Sequence, residues 1–351
     1  MSIFFDGHKL LHHLDRLIPW SEGEKIFPLY IAFGPTSFCQ CQCVFCPFHS
    51  QKHPQLPFHF PFERFSSLIY ELKEVGVKSL FFSGTGEPLL HPNIYEMVEK
   101  AHEGGLSVAL NSNGLNLSLD NKKLDLILNN LDWCRFSING HDGKSYSKTH
   151  GVNEESFERV LKNIHALALR KKTQGGKCTI GVQSLYLGQS KDELIYFVSR
   201  LRDFGVDYFS LKPFLSHEAS LLKEEFIPAL DSLNELEKLT TKSFKVVTRS
   251  SFKEKKNRIY NKCFSFDFMC EIDSDGEVYT CGAKVSDKNF SYGSILDKSF
   301  SEVWMSEKRQ AQIEEIHRQL DVQTCMPHCR HHEVNNWLWS YCHPPEHRNF
   351  I

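Results

Sequence analysis

The residues whose types and spacing point most directly to chemistry lie in one short stretch, Cys39-Gln-Cys-Gln-Cys43-Val-Phe-Cys46. Three of its thiols fall at C-x3-C-x2-C spacing. Three thiolates on one tight loop can hold three irons of a 4Fe-4S cube and leave the fourth iron without a protein ligand. A small molecule that chelates the open iron can then receive an electron. The alternative is a zinc knuckle or a set of structural thiols, but zinc prefers four protein ligands in a closed tetrahedron. Cys41 lies between the three and is expected to be a bystander that points away from them.

The elements that must position this loop form a repeating pattern. A buried strand is expected over Leu29–Phe33, just before the cysteines. Further strands are expected over Lys78–Ser83, Ser107–Asn111, Cys134–Ile138, Cys178–Leu187 and Tyr208–Leu211. Helices are expected between them, over Phe62–Val75, Asn93–His102, Leu124–Leu128, Glu155–Leu169 and Lys191–Phe204. Such alternation implies a parallel sheet with right-handed crossovers. A further short helix, His8–Ile18, is expected to end at Pro19.

Other motifs sit at the exits of these strands. Ser83-Gly-Thr-Gly-Glu87-Pro88 follows the second and exposes backbone groups without side chains in the way. Asn111-Ser-Asn-Gly114 follows the third and alone reads as a turn. On the fourth, period-two alternation puts Arg135, Ser137 and Asn139 on one face. Gln183 and Lys212 are candidates of the same kind on the fifth and sixth. Cys134 and Cys178, at strand starts, read as buried apolar-like thiols, so no hydrogen-atom donor is expected from them.

The cysteine triplet with Phe45 before its last member resembles the signature of the radical S-adenosylmethionine (SAM) enzymes. The resemblance runs over roughly residues 28 to 345. It implies an α/β fold, a partial (β/α)6 TIM-like barrel, with chemistry at the C-terminal ends of the strands. It implies that Gly84, Thr85, Gly86, Glu87 and Pro88 hold the SAM methionine moiety. The family's usual segment is GGEP, and Thr85 stands where Gly is common. Phe45, Asn111 or Asn113, Ser137 and Gln183 are the other SAM-binding candidates, with Cys39, Cys43 and Cys46 as the iron ligands.

Downstream, Cys263 and Cys281 bracket an Asp275-Gly276 hairpin turn in a C-x12-G-x4-C pattern, followed by Gly293-Ser-Ile295, Phe300–Trp304 and Cys325-x3-Cys329. This resembles the SPASM and twitch extensions of radical SAM enzymes, and implies one auxiliary 4Fe-4S cluster on Cys263, Cys281, Cys325 and Cys329. Cys270 and Cys342 are rivals for two of those places, and a zinc ribbon is the competing reading. Histidines 328, 331, 332, 343 and 347 read mainly as surface residues that could supply a ligand.

The resemblance implies reductive cleavage of SAM to a 5′-deoxyadenosyl radical, which takes a hydrogen atom from the substrate, with the auxiliary cluster assisting an oxidation. The expected substrate is a small polar molecule of the sugar, aminocyclitol or nucleotide-sugar type. A ribosomal-peptide maturase is the alternative, less favoured because about 27 residues before the first strand are too few for a leader-binding domain. A non-enzymatic metal-binding scaffold is the third reading. An electron donor such as flavodoxin or ferredoxin is expected as partner.

Size and composition agree. The chain has 351 residues, 41% apolar and 24% charged, with net charge -2, so no global field attracts nucleic acid or an anionic membrane. No apolar run is long enough to span a bilayer, and the first residues lack the order of a signal peptide. The expectation is a cytoplasmic protein, in which 12 cysteines argue for metal rather than disulfides. The expected organisation is an N-terminal extension (1–27), the barrel (28–215), a helical connector (216–260) carrying a basic patch at 253–258, and a cysteine-rich α+β region (261–351).

Overall fold

The computed structural model describes residues 7–48, 58–216, 220–248, 258–326 and 329–350. Six parallel strands form where the apolar runs predict them: β1 (Tyr30–Phe33), β2 (Ser79–Phe82), β3 (Ser107–Ser112), β4 (Trp133–Ser137), β5 (Thr179–Tyr186) and β6 (Tyr208–Pro213). They pair in chain order, β1 to β6. The helices α2 (Phe62–Glu74), α3 (Ile94–Glu103), α4 (Asn121–Asn130), α6 (Glu155–Gln174) and α7 (Lys191–Phe204) connect them, and α1 (Leu14–Ser21) precedes them. The α7 ends follow from local chemistry. The Glu193 N–H donates to the Ser190 hydroxyl, the Ser190 N–H donates to the Glu193 carboxylate, and Gly205 takes the left-handed conformation that closes the helix. Phe33, Phe65 and Phe82 pack under the first two strands, fully buried.

Three features depart from the expectation. Pro19 lies inside α1 rather than ending it. It sits near the last turn, and the N–H of Glu22 still reaches the carbonyls of Ile18 and Pro19, so little bonding is lost. Helix α5 (Gly143–His150) was not expected, because its sequence is polar and only Tyr146 and His150 are buried. The 216–260 segment is more than a helical connector. It holds α8 (Leu230–Glu237) and β7 (Lys245–Thr248), and β7 extends the sheet in parallel beside β6. Lys253 and its neighbours to 257 lie outside the described residues.

The cysteine-rich region contributes β8 (Met269–Ile272), β9 (Glu277–Tyr279), β10 (Ser291–Ser294), α9 (Phe300–Trp304), α10 (Glu307–Gln319) and α11 (His332–Cys342). Strand β8 pairs in parallel with β1, so one sheet runs β10-β9-β8-β1-β2-β3-β4-β5-β6-β7. The fold is mixed α/β with a mostly parallel sheet, consistent with a partial barrel. The hairpin turn falls at Asp275-Gly276, where Gly276 has φ 78°. Arg64 of α2 donates to the carbonyls of Ile295 and Lys298, and Trp304 donates to the carbonyl of Ile26. Leu10 and Leu17 of the N-terminal extension pack on Val334 and Leu338 of α11. No helix among the described residues is long and apolar enough to cross a membrane.

Candidate active site and metal centres

The cysteine loop leaves β1 at the C-terminal end of the strand. Residues 39, 41 and 43 are buried while 40 and 42 are not, so the loop alternates like a strand. This alternation overturns the expectation for Cys41. Its thiol does not turn away, but lies against those of Cys39 and Cys43. Contact with them and burial push it well above the usual thiol range. Asn113 Nδ2 donates to Cys41 Sγ at 3.4 Å, and the Phe48 N–H donates to Cys46 Sγ at 3.4 Å.

The Gly84–Pro88 loop is pressed against this one. The Glu87 N–H donates to the carbonyl of Phe38 at 2.8 Å. A Cβ on Gly86 would meet the Thr36 carbonyl oxygen at 2.2 Å, so only glycine allows the approach. The Glu87 carboxylate is buried and accepts from the Ser112 hydroxyl (2.6 Å) and from the N–H groups of Asn113 (2.7 Å) and Leu89 (3.0 Å). Burial raises its pKa, against the pull of these donors. Thr85, at the position where Gly is common, donates its hydroxyl to Asp273 at 3.1 Å. Asp273 follows β8, so the barrel loop is tied to the cysteine-rich region.

The remaining barrel candidates separate into two groups. Asn113 is drawn under the cysteine loop, where Gln40 also donates to it at 3.2 Å. Asn111 instead joins the inward row, accepting from Arg135 Nε at 3.0 Å and lying 3.5 Å from the Ser137 hydroxyl. Gln183 pairs in register with Ser137, and its Oε1 is buried without a hydrogen-bond partner. An orphaned acceptor beside Ser137, a glycine that allows the loops to touch, and the Cys39 and Cys43 thiols brought together, with Cys46 further along the same loop, fit a bound nucleoside cofactor and an iron–sulfur cluster. Phe45 packs its edge on His150 at 5.4 Å. Lys212 is half-buried on β6. Cys134 and Cys178 are fully buried free thiols in hydrogen-bond contact with each other.

The second group of thiols assembles from three separated segments. Cys263, Cys281, Cys325 and Cys329 line one cavity. Burial raises all four, and the thiols of Cys263, Cys281 and Cys325 each lie close enough to Cys329 for their fields to act between them. Asn335 Nδ2 donates to Cys263 Sγ at 3.2 Å. Four converging thiols suit an iron–sulfur cluster. Cys270 lines the same cavity from β8, with Arg309 and Glu271 as its charged neighbours, and Cys342 is exposed at the end of α11. Of the histidines, His331 is buried against Ser265 and burial lowers it to about 3, so it stays neutral. His332 bonds the Tyr260 hydroxyl, His343 and His347 are exposed, and His328 lies outside the described residues.

Three participants escaped the sequence reading. Glu271 and Arg330 both line the cavity of the second thiol group. Period-two alternation along β8 puts Glu271 on the same face as Met269 and opposite Cys270, which is the sequence signal that points to it. His150 closes α5, and its Nδ1 lies 3.4 Å from Cys43 Sγ. Nothing in the spacing of the cysteines points to it.

Residues 34–210 match the sequence profile of the Radical SAM superfamily, and residues 263–331 match the SPASM iron–sulfur cluster-binding domain. The chain belongs to the radical SAM superfamily and carries a SPASM domain at its C-terminal end. Its cofactors are therefore SAM, a 4Fe-4S cluster and auxiliary iron–sulfur. GTP 3′,8-cyclase of Chlorobaculum tepidum is 30% identical over 195 residues, covering 54% of this chain and 55% of the cyclase, so the chain spans about half of that relative. The AdoMet-dependent heme synthase of Nitratidesulfovibrio vulgaris is 23% identical over 330 residues, 87% of this chain and 85% of that protein. Among solved structures, Streptococcus suis SuiB bound to S-adenosylmethionine superposes with TM-score 0.63 at 17% identity, covering 88% of this chain and 73% of SuiB, a likeness of fold.

Proposed function

We propose that this radical SAM enzyme acts on a small polar substrate held between the barrel mouth and the SPASM cysteines. One observation carries the reading. A single cavity of about 790 Å³ is bordered by Ser83 and Gly84 on the barrel side and by Cys263, Cys281, Cys325 and Cys329 on the other. Small-molecule sites fall at about 300–1,000 Å³, and this cavity would hold the auxiliary cluster as well as a substrate of modest size. Its charged lining residues are Glu271, Lys284 and Arg330, which suits a substrate rich in hydroxyl, amino or anionic groups. The relatives' names span a GTP cyclase, a heme synthase and a mycofactocin maturase, so they do not choose among substrates.

In this reading Cys39, Cys43 and Cys46 ligate the first cluster. Phe45, the Gly84–Pro88 loop, Asn111, Ser137 and Gln183 hold SAM, and Asn113 supports the cysteine loop from below. Cys263, Cys281, Cys325 and Cys329 hold one auxiliary cluster. When bound, the reduced cluster and SAM supply a radical able to take a hydrogen atom from an unactivated carbon. The chain's part is placement and exclusion of water. Glu87 fixes the loop after β2 to the loop after β3, Thr85 and Asp273 fix it to the β8–β9 hairpin, and Glu271 and Arg330 orient the substrate. An auxiliary cluster beside the cavity suits a net oxidation, with flavodoxin or ferredoxin as electron source. The barrel (28–215) and the cysteine-rich region (261–351) then act as one catalytic unit.

The test is anaerobic reconstitution followed by incubation with SAM, dithionite and either the small-molecule or the peptide fraction of a cell extract. The small-molecule fraction is expected to raise 5′-deoxyadenosine formation above the substrate-free rate. Stimulation by the peptide fraction alone would favour a maturase, and absence of any SAM cleavage would remove the enzymatic reading.

A further inference from the structure

Helix α5 and the cysteine loop form one packed unit. The N–H of Gln42 donates to the carbonyl of His150 at 2.8 Å, and that of Val44 to the carbonyl of Thr149 at 3.0 Å. Gly151, just past the helix, has φ 63°, and a Cβ there would meet Gln42 atoms at 2.8 Å. The imidazole of His150 is 1% exposed, stacked on Tyr146 with ring centroids 4.2 Å apart. It has little freedom to turn.

Its two nitrogens have different partners. Nε2 accepts from the backbone N–H of Asn139 at 3.0 Å. A nitrogen that accepts carries no proton, so the neutral ring holds its proton on Nδ1. Nδ1 faces Cys43 Sγ at 3.4 Å. The ring is therefore set to donate to that sulfur. Cys41, Cys43 and His150 bring their donor atoms within 4.8 Å of one another, which raises the question of His150 as a metal ligand. Ligation would need a lone pair on Nδ1 while Nε2 already uses the only one a neutral imidazole has.

We propose that His150 is a positioning residue for the cluster, donating Nδ1–H to the Cys43 thiolate and making that cluster easier to reduce. A reduced cluster carries one more negative charge than the oxidised one, so a hydrogen bond to its sulfur stabilises the reduced state more. The Asn139 backbone sets the tautomer, and the α5 contacts set the distance. The proposal rests on Cys43 being a cluster ligand.

The experiment is a redox titration of the reconstituted full-length protein, followed by electron paramagnetic resonance, with the SAM-binding cluster identified by the change its signal undergoes when SAM is added. His150→Leu is expected to disfavour reduction about tenfold, which is 59 mV for one electron. His150→Asn, which can place an amide N–H near the Nδ1 position, is expected to recover most of that. An unchanged potential in a fully loaded His150→Leu protein overturns the proposal. A second measurement on the unmutated protein covers failed loading. Pulsed resonance on ¹⁵N-histidine-labelled protein is expected to give a weak histidine coupling, and either no coupling or one strong enough for a direct iron–nitrogen bond overturns it. The ligand assignment fails separately, if Cys43→Ala retains the full iron content.

Discussion

The two cysteine sites are built in opposite ways. At the barrel mouth the thiols of Cys39, Cys41 and Cys43 come from alternate residues of one loop, and neighbours brace that loop from outside. The Glu87 backbone bonds it at Phe38, Asn113 bonds it at Gln40 and Cys41, and α5 bonds it at Gln42 and Val44. In the SPASM domain the thiols arrive from the segment before β8, the end of the hairpin, and the segment before α11. The contacts that hold those segments also come from far along the chain: Asn335 reaches Cys263 and the Ser265 N–H, His317 the carbonyl of Cys263, and Arg258 the carbonyls of Gln323, Cys325 and Met326. The first site is a preformed cradle. The second is a meeting point whose long loops must be closed at entropic cost, so a metal centre there does part of the work of folding.

Removing one thiol from each site breaks the comparison most directly. Cys43→Ala is expected to abolish SAM cleavage, to remove about four irons per chain, and to leave the melting temperature nearly unchanged, because the loop keeps its braces. Cys281→Ala is expected to remove a similar amount of iron and to lower the melting temperature clearly, with easier proteolysis between 281 and 330, while SAM cleavage without substrate persists. Iron assay, calorimetry and 5′-deoxyadenosine quantitation decide it. Equal loss of melting temperature in both variants would mean the sites are not built differently.

This contrast also sets what the sequence made legible. A local motif is readable because its geometry is its spacing. The Cys39–Cys46 run, the Gly84–Pro88 loop and the strands β1 to β6 were all of this kind. The Asp-Gly hairpin was readable for the same reason. What stayed hidden depends on partners far away in sequence. Glu271 gains its place only because β8 pairs with β1, and His150 only because α5 docks on the cysteine loop. Helix α5 has too few apolar residues to give a periodic signal, and β7, a four-residue strand in a charged segment, is too short to give one. Cys41 was misjudged because spacing says which residues share a loop but not that the loop alternates like a strand.

The tie between the two regions gives a smaller, pH-dependent effect. Asp273 is buried against Thr85, and burial raises it to about 7 from an ordinary 3.8. The folded protein therefore holds this proton more tightly than the unfolded chain does. Relative to an asparagine variant, stability contributed by Asp273 is intact below about pH 4 and is lost as pH rises towards 7, after which the deficit is constant. Asp273→Asn keeps an oxygen for the Thr85 hydroxyl and carries no charge. It is expected to match the unmutated protein in acid and to exceed it at pH 8 by on the order of 1 kcal/mol, allowing for relaxation around the charge. Denaturant melts at several pH values test this, and a pH-independent difference would contradict it.

The smallest effects fall on the thiols outside both groups. Cys270 is buried on β8 in the core that holds Ile272, Val278 and Tyr292, with Arg309 and Glu271 as its charged neighbours. Cys342 is exposed at the end of α11, and only partial burial perturbs it. Cys270 lines the cavity of the second group but is not among the thiols whose fields link Cys263, Cys281, Cys325 and Cys329, and Cys342 stands outside it, so neither is expected as a ligand. Cys270→Ala is expected to cost about 1 kcal/mol from the lost packing and no iron, and Cys342→Ala to cost neither. Retained iron in both variants confines the second centre to Cys263, Cys281, Cys325 and Cys329. A loss of about four irons in either would move a ligand to β8 or α11, and with Cys270 the site would be anchored in the sheet, which erases the difference in stability expected between the two centres.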